Sequence, residues 1–222
     1  MIFDWPEVLA PQDVAVLPPR KTVGLTTSLT EFTQAVPAIR PPFGLKLPFG
    51  NLFGDEVKAW RAMMALFEGR ANQVRVPLFD LWHRAKDNVI GAHLVPWSDG
   101  ATFSDGAMHL ADDLEGVIVS GVQGQRTITA DFGQYGQLLE AGLYFGLGEH
   151  PYIARRVWWE GSVARIECTP TLRTAYADEP LKLKPTMIAG LVDDDQGELM
   201  LRRARYGAPM LELVERFDVL LP

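Results

Sequence analysis

The alternation of apolar and polar positions along this chain is dominated by a period of two, which predicts strands. The longest such stretch runs from Ile153 to Trp159, turns at Glu160-Gly161 and returns from Ser162 to Cys168. A two-residue turn there sets Trp159 opposite Ser162, Val157 opposite Ala164, Arg155 opposite Ile166 and Ile153 opposite Cys168. That register gathers one mostly apolar face. The reverse face carries Ala154, Arg156, Trp158, Val163, Arg165 and Glu167, and is half polar. Pro170 has no backbone donor, so it ends the ladder or sits at an edge.

One segment departs from period two. Val57, Trp60, Met64 and Phe67 fall on a single helical stripe, with Lys58, Arg61 and Glu68 outside it. Asp55 is placed to cap this helix and Gly69 to stop it. Asn72 to Leu81 then alternates as a strand closed by Asp80. Before the helix, Pro6, Pro11, Pro18, Pro19, Pro37, Pro41, Pro42 and Pro48 each fix a backbone angle and remove a donor, which argues against long helices and central strands where they cluster. Between them Thr22 to Ala35 is dense in Thr, Val and Phe and reads as an edge strand or an arm, packed on a neighbouring subunit or on its own.

From Trp82 to Asp113 the pattern fades. The triplets Ser98-Asp99-Gly100 and Ser104-Asp105-Gly106 are turn chemistry, giving a long loop or two short hairpins. Gly116 to Ala130 predicts two strands about a turn at Gly121 to Gly124. Leu181 to Lys184 is a short strand, and Met187 to Val192 is expected to meet Glu198 to Arg202 across the acidic turn 193–197. Met210 to Leu221 favours a closing strand over a helix. The chain is therefore expected to be mainly β, of sandwich or barrel type, with one principal α-helix and room for a second small β-barrel. The expected division is a body of residues 1–85 plus 181–222, carrying the helix at 55–69, and a β-rich insertion or second barrel at 86–180.

Composition narrows the classes. Hydrophobic residues make up 47 % and charged residues 22 % of the 222, the balance of a folded protein with a sizeable core. No run approaches the roughly 20 apolar residues of a membrane span. Met1 to Pro6 lacks the basic start and apolar core of a secretory leader, so none is expected. A single cysteine, Cys168, excludes an intrachain disulfide and suits synthesis in a reducing cytoplasm. A net charge of −7 argues against a chain-wide phosphate-binding role.

The candidate chemistry is sparse. Asp193, Asp195, Gly197 and Glu198 alternate as in part of a calcium loop but lack the remaining oxygen ligands, which leaves a solvated turn. His83, His93, His109 and His150 show no metal-binding spacing. Cys168 falls on the apolar hairpin face, as a small buried hydrophobe rather than a nucleophile. The pairs Asp112-Asp113 and Asp178-Glu179 read as loop charge rather than acid and base. No nucleophile elbow, phosphate loop or zinc-protease motif occurs, and no cofactor, metal or enzymatic activity is expected. Trp158 and Trp159 are adjacent on a strand and must face opposite sides. Trp159 is expected inward. Trp158, with Arg156 and Arg165, forms a candidate interface, a second core layer or a stacking platform for a ligand. Arg202, Arg203 and Arg205 are expected to pair with acidic residues of a neighbour.

Several of these words, in this order, resemble the distal tail proteins of long-tailed bacteriophages and phage-like gene transfer particles. They are Trp60-Arg61-Ala62, Gly69-Arg70-Ala71-Asn72 and Arg75-Val76-Pro77-Leu78-Phe79-Asp80. Later come Leu139-Glu140-Ala141-Gly142, Gly146-Leu147-Gly148, Pro151-Tyr152-Ile153 and Thr169-Pro170-Thr171-Leu172-Arg173. The resemblance spans about residues 55 to 190, with order and spacing carrying more weight than any one word.

The resemblance implies a structural virion protein at the tail tip, made in the bacterial cytoplasm. Such a protein forms a β-rich, typically sixfold ring with copies of itself, between the tail tube protein and the baseplate hub protein. Some relatives carry a barrel resembling an oligonucleotide- or oligosaccharide-binding fold, to which Gly116 to Arg173 is a candidate match. DNA would only pass through the lumen, and an acidic wall would not retard it. Two other classes stay open: a glycan-binding module using Trp158 or Trp97, and a tail-associated hydrolase using a carboxylate pair.

Overall fold

In a computed structural model, the described residues are 1–19, 22–27, 31, 33–38, 40–79, 93–95, 109–111, 114, 116–202 and 205–217, with backbone alone at 37, 93–95, 109–111 and 134. The chain forms two compact units, Met1–Phe79 with Thr186–Pro222 and Asp80–Pro185. Among the described residues the fold is mostly β, with 47 % in strands and 9 % helical. No helix among the described residues is long and apolar enough to cross a membrane.

The first unit opens with β1 (Ile2–Asp4), β2 (Ala15–Leu17), β3 (Thr22–Thr27), β4 (Thr33–Pro37), β5 (Gly44–Pro48) and β6 (Leu52–Phe53), followed by α1 (Asp55–Phe67) and β7 (Gln73–Pro77). The second unit holds β8 (His93–Val95), β9 (His109–Ala111), β10 (Ile118–Gly121), β11 (Thr127–Asp131), β12 (Tyr144–Leu147), β13 (His150–Glu160), β14 (Val163–Thr169) and β15 (Tyr176–Lys182). The chain then returns to the first unit with β16 (Thr186–Leu191), β17 (Tyr206–Gly207) and β18 (Met210–Glu215).

In the first unit six strands form one sheet in the order β1-β7-β16-β18-β5-β2. Its strands alternate, so Leu45, Leu47, Val74, Val76, Leu211 and Leu213 are all buried, while Lys46 and Glu212 pair on the more exposed side at 2.6 Å. Helix α1 supplies the other half of this core through Val57, Trp60, Met63 and Phe67. Phe67 meets Phe3 edge to face at 5.0 Å, and Trp60 meets Phe49 at 4.9 Å. The buried stripe takes Met63 where Met64 was expected. Met64 is half-buried beneath Gly197. Asp55 is the first helical residue rather than the cap: Gly54 occupies that position, and the Asp55 carboxylate accepts from Lys58 Nζ at 2.8 Å. The helix stops where Glu68 and Gly69 both turn left-handed, at φ 48° and 68°.

Strand β16 does not pair with 198–202 across the acidic turn. It lies between β7 and β18, with Met187 opposite Val76 and Gly190 opposite Val214. Every residue of β16 after Thr186 is buried, so it needs partners on both edges that are themselves core strands. Residues 198–201 form no strand. The arm expected at Thr22 to Ala35 is a two-stranded hairpin of β3 and β4, with Leu25 opposite Ala35 and Gly24 opposite Val36.

In the second unit six strands follow the order β10-β15-β12-β13-β14-β11 and curl into a nearly closed barrel. Strands β10 and β11 are joined by the expected turn yet are not hydrogen-bonded partners; they are the two ends of this sheet, paired to β15 and β14. Curling brings the ends back towards each other, which is how a sheet limits its open edges. Leu181 and Lys182 are the end of a longer strand, β15, and Leu183 and Lys184 lie beyond it. Phe145, Tyr152, Ala154, Ala164, Ile166 and Cys168 fill the interior. Strands β8 and β9 pair antiparallel, and the Ser-Asp-Gly triplets and Asp80 lie outside the described residues.

The central hairpin, β13 and β14, differs from expectation in two ways. Its two-residue turn is Gly161-Ser162, with Glu160 opposite Val163, Trp159 opposite Ala164 and Val157 opposite Ile166. Gly161, at φ 65°, takes the first turn position, where a left-handed backbone matches the twist of the strands. The shift is by one residue on each strand, so the faces keep their parity near the turn. At Arg155 a bulge breaks that parity. Arg155, expected on the apolar face, is exposed, and Ala154, expected outside, is fully buried opposite Cys168.

Candidate functional site

The outer face of β13, β14 and β11 carries the residues singled out from the sequence. Trp159 turns inward and meets Phe132 edge to face at 5.1 Å, which commits Trp158 to the outside, where it is 47 % exposed. Arg165 stands directly opposite Trp158, its guanidinium carbon 5.9 Å from the ring centroid. A guanidinium over an indole is held by the ring quadrupole and by stacking, so the arginine is ordered against the tryptophan.

Arg156 lies two pairs further along on the same face, opposite Glu167, and its guanidinium is 3.8 Å from one Glu167 oxygen. The bulge adds a residue that the sequence reading assigned to the core: Arg155 reaches the other Glu167 oxygen at 3.1 Å. Glu167, only 17 % exposed at its side chain, is thus flanked by two arginines. On the neighbouring strand Thr129 lies beside Arg165 and Asp131 beside Val163. The Asp131 carboxylate accepts the Gly133 N–H at 2.9 Å; that bond and one to the Ser162 side chain hold its pKa below the usual carboxylate range. Trp158, Arg156 and Arg165 are therefore brought onto one face, as expected. Arg155 and Asp131 were missed, because a bulge and the choice of neighbouring strand leave no trace in local periodicity.

Chemically, this face offers one aromatic platform edged by guanidinium donors and carboxylate acceptors of nearly balanced charge. It suits stacking of a flat or ring-shaped group with hydrogen bonds at the rim.

The other candidates separate. Cys168 is buried, donates to the Arg126 carbonyl at 3.3 Å, and burial pushes its thiol up to about 12, the reverse of an activated thiolate. Asp178 is tied to Ser120, whose hydroxyl donates to the carboxylate and accepts the Asp178 N–H, both at 3.0 Å. Asp193, Asp195 and Glu198 are exposed. Among the described residues no group of three or more His, Cys, Asp or Glu is placed to hold a metal ion. His93 and His109 sit on β8 and β9, His109 opposite Val95, and His150 begins β13. His83, Trp97, Asp112, Asp113 and Arg203 lie outside the described residues.

The β3–β4 hairpin exposes apolar side chains on both of its faces, since Val36 stands opposite Gly24 and Leu25 opposite Ala35. Val23 and Leu25 on β3 are each 69 % exposed and Val36 on β4 is 49 % exposed. Neither strand contains a charged residue. Comparison of the chain with protein-family models finds no match, and comparison with curated protein sequences finds none either.

Proposed function

We propose that this chain is a structural protein of a phage tail tip, a ring-forming distal tail adaptor that joins the tail tube to the baseplate hub. The observation that carries this reading is the β3–β4 hairpin. It is a two-stranded sheet, uncharged along both strands, with Val23, Leu25 and Val36 turned to solvent. Two-stranded sheets are marginal in water, and exposed apolar strand edges invite pairing unless charge, proline or a covering element protects them. A neighbouring subunit supplies that cover in a ring, and every copy both gives and receives it. The mainly β fold with one helix and the residue words shared with distal tail proteins support the same reading.

The test is the absolute mass of the purified protein by light scattering across concentration, with electron microscopy of the same sample. Closed rings of about six copies are expected. A chain that stays monomeric and leaves the hairpin as accessible to proteases in tail particles as in solution refutes the adaptor.

A second reading is favoured by one observation, the half-exposed Trp158 ring edged by arginines and carboxylates. In it the barrel is a glycan-binding module that meets the host surface, with a sugar stacked on Trp158. Retention on immobilised cell-wall glycan that Trp158→Ala abolishes supports this reading; equal retention of both proteins refutes it.

A further inference from the structure

Residues 192–202 and 205–206 lie along α1 in the order opposite to the helix. Asp194 sits at the C-terminal end, its carboxylate oxygen 3.1 Å from where a Cβ on Gly69 would stand. Gly197 crosses the middle, packed on Met64, and its carbonyl accepts the Trp60 indole N–H at 3.0 Å. Tyr206 pairs with Phe53, just ahead of the first helical residue. At about 1.5 Å of rise per residue, the two ends of this helix stand ~20 Å apart.

The segment carries opposite charge to those ends. At the C-terminal end Asp193, Asp194 and Asp195 are exposed and follow Val192 in the chain, and Leu66 lies in the last turn of the helix; Val192 and Leu66 are 43 % and 41 % exposed. Glu68 and Arg70 share that end with opposite signs, so the aspartates set its sign. At the N-terminal end Arg202 and Arg205 are exposed, and neither makes an ion pair among the described residues. Around them Phe53 is 55 % and Met200 74 % exposed, and the Phe53 and Tyr206 rings lie 5.5 Å apart. The acidic groups at this end are engaged locally: Asp55 pairs with Lys58 at 2.8 Å, and Glu56 accepts the Phe53 N–H at 2.9 Å.

We propose that the arginine and aromatic end of one copy docks on the acidic end of the next copy, making a head-to-tail contact along the line of α1. Both halves of the contact are present on the same unit. Unlike ends attract; joined one to the next they leave a free end of each sign, as ring closure requires, whereas an antiparallel two-fold pair satisfies both ends at once and would show as a dimer mass. Arginine and aromatic side chains over apolar neighbours match the composition of interface centres, and carboxylates are the bidentate partners that guanidinium groups select. This contact rests on the ring reading and adds a second surface of the ring beside the β3–β4 hairpin.

The test uses two charge-reversed full-length chains, Asp193→Lys/Asp195→Lys and Arg202→Glu/Arg205→Glu, with molar mass followed by light scattering at low and high salt. All four positions are exposed, and unchanged thermal unfolding of each variant confirms folding. Each variant alone is expected to need at least about tenfold more protein to associate, because two of its facing charges now repel. An equimolar mixture of the two, and a chain carrying all four changes, regain association. High salt weakens the wild type. Rings formed by both variants at wild-type concentrations overturn the contact and leave the ring reading standing. Loss in both variants without recovery in the four-fold chain also overturns it. A wild type that stays monomeric at every concentration, with the β3–β4 hairpin as accessible to proteases in tail particles as in solution, overturns contact and ring together.

Discussion

Tyr152→Phe removes one oxygen from the centre of the barrel and tests whether a buried hydrogen-bond relay holds that unit together. The Tyr152 hydroxyl accepts the Arg173 backbone N–H at 2.9 Å and lies 3.0 Å from the Tyr176 hydroxyl, which donates to the Leu147 carbonyl at 3.1 Å. Donor directions close in one order only: Tyr176 gives its proton to Leu147, so Tyr152 gives its own to Tyr176. The relay ties β12, β13 and β15 to the segment after β14, and Tyr152 is fully buried. The substitution keeps the ring and its 5.6 Å stack on Phe145 but strips the Arg173 N–H of this acceptor and Tyr176 of a donor. One lost hydrogen bond plus a buried donor deprived of its acceptor costs about 2–3 kcal/mol. Denaturant unfolding followed by tryptophan fluorescence measures this, since Trp158 and Trp159 report on the same barrel. A loss below about 0.5 kcal/mol would refute the relay. Tyr176→Phe should cost a similar amount, and the double variant less than the sum, because the two hydroxyls share one bond.

The remaining expectations concern pH, the first unit and the exposed face. Burial raises Tyr152 from 10.0 to about 12 and Cys168 from 9.0 to about 12, so both are neutral in the folded state where the unfolded chain ionises. Their contribution is complete below about pH 9 and is lost as pH rises towards 12; a pH series of unfolding midpoints that stays flat over this window contradicts it. For the same reason Cys168 should resist thiol reagents in the native protein and react only on unfolding, and prompt labelling would disprove its burial. Trp60→Ala should destabilise the first unit by about 3–5 kcal/mol, through the cavity left between α1 and the sheet, as read from the thermal midpoint. Trp158→Ala should change stability by less than about 1 kcal/mol while weakening whichever partner covers the outer face; a loss as large as that of Trp60→Ala would mean the ring is core.

Local periodicity alone determined the parts whose structure depends on near neighbours. The single helix, the alternation of β7 and β18, the inward Trp159 with outward Trp158, and the burial of Cys168 all follow from where apolar side chains fall at periods of 3.6 and two. Pairing is another matter. The acidic turn 193–197 suggested a hairpin with 198–202, yet β16 is claimed by β7, which lies more than a hundred residues earlier, and by β18. A strand buried on both faces needs core strands on both edges, and periodicity records the face of a strand but not the identity of its neighbour. The bulge at Arg155 is the same limit at short range. One extra residue moves Ala154 into the core, Arg155 onto Glu167, and with it part of the candidate site, while the sequence either side still alternates. Only the closed sheet, where Cys168 must meet a small side chain, decides that Ala154 and not Arg155 goes inside.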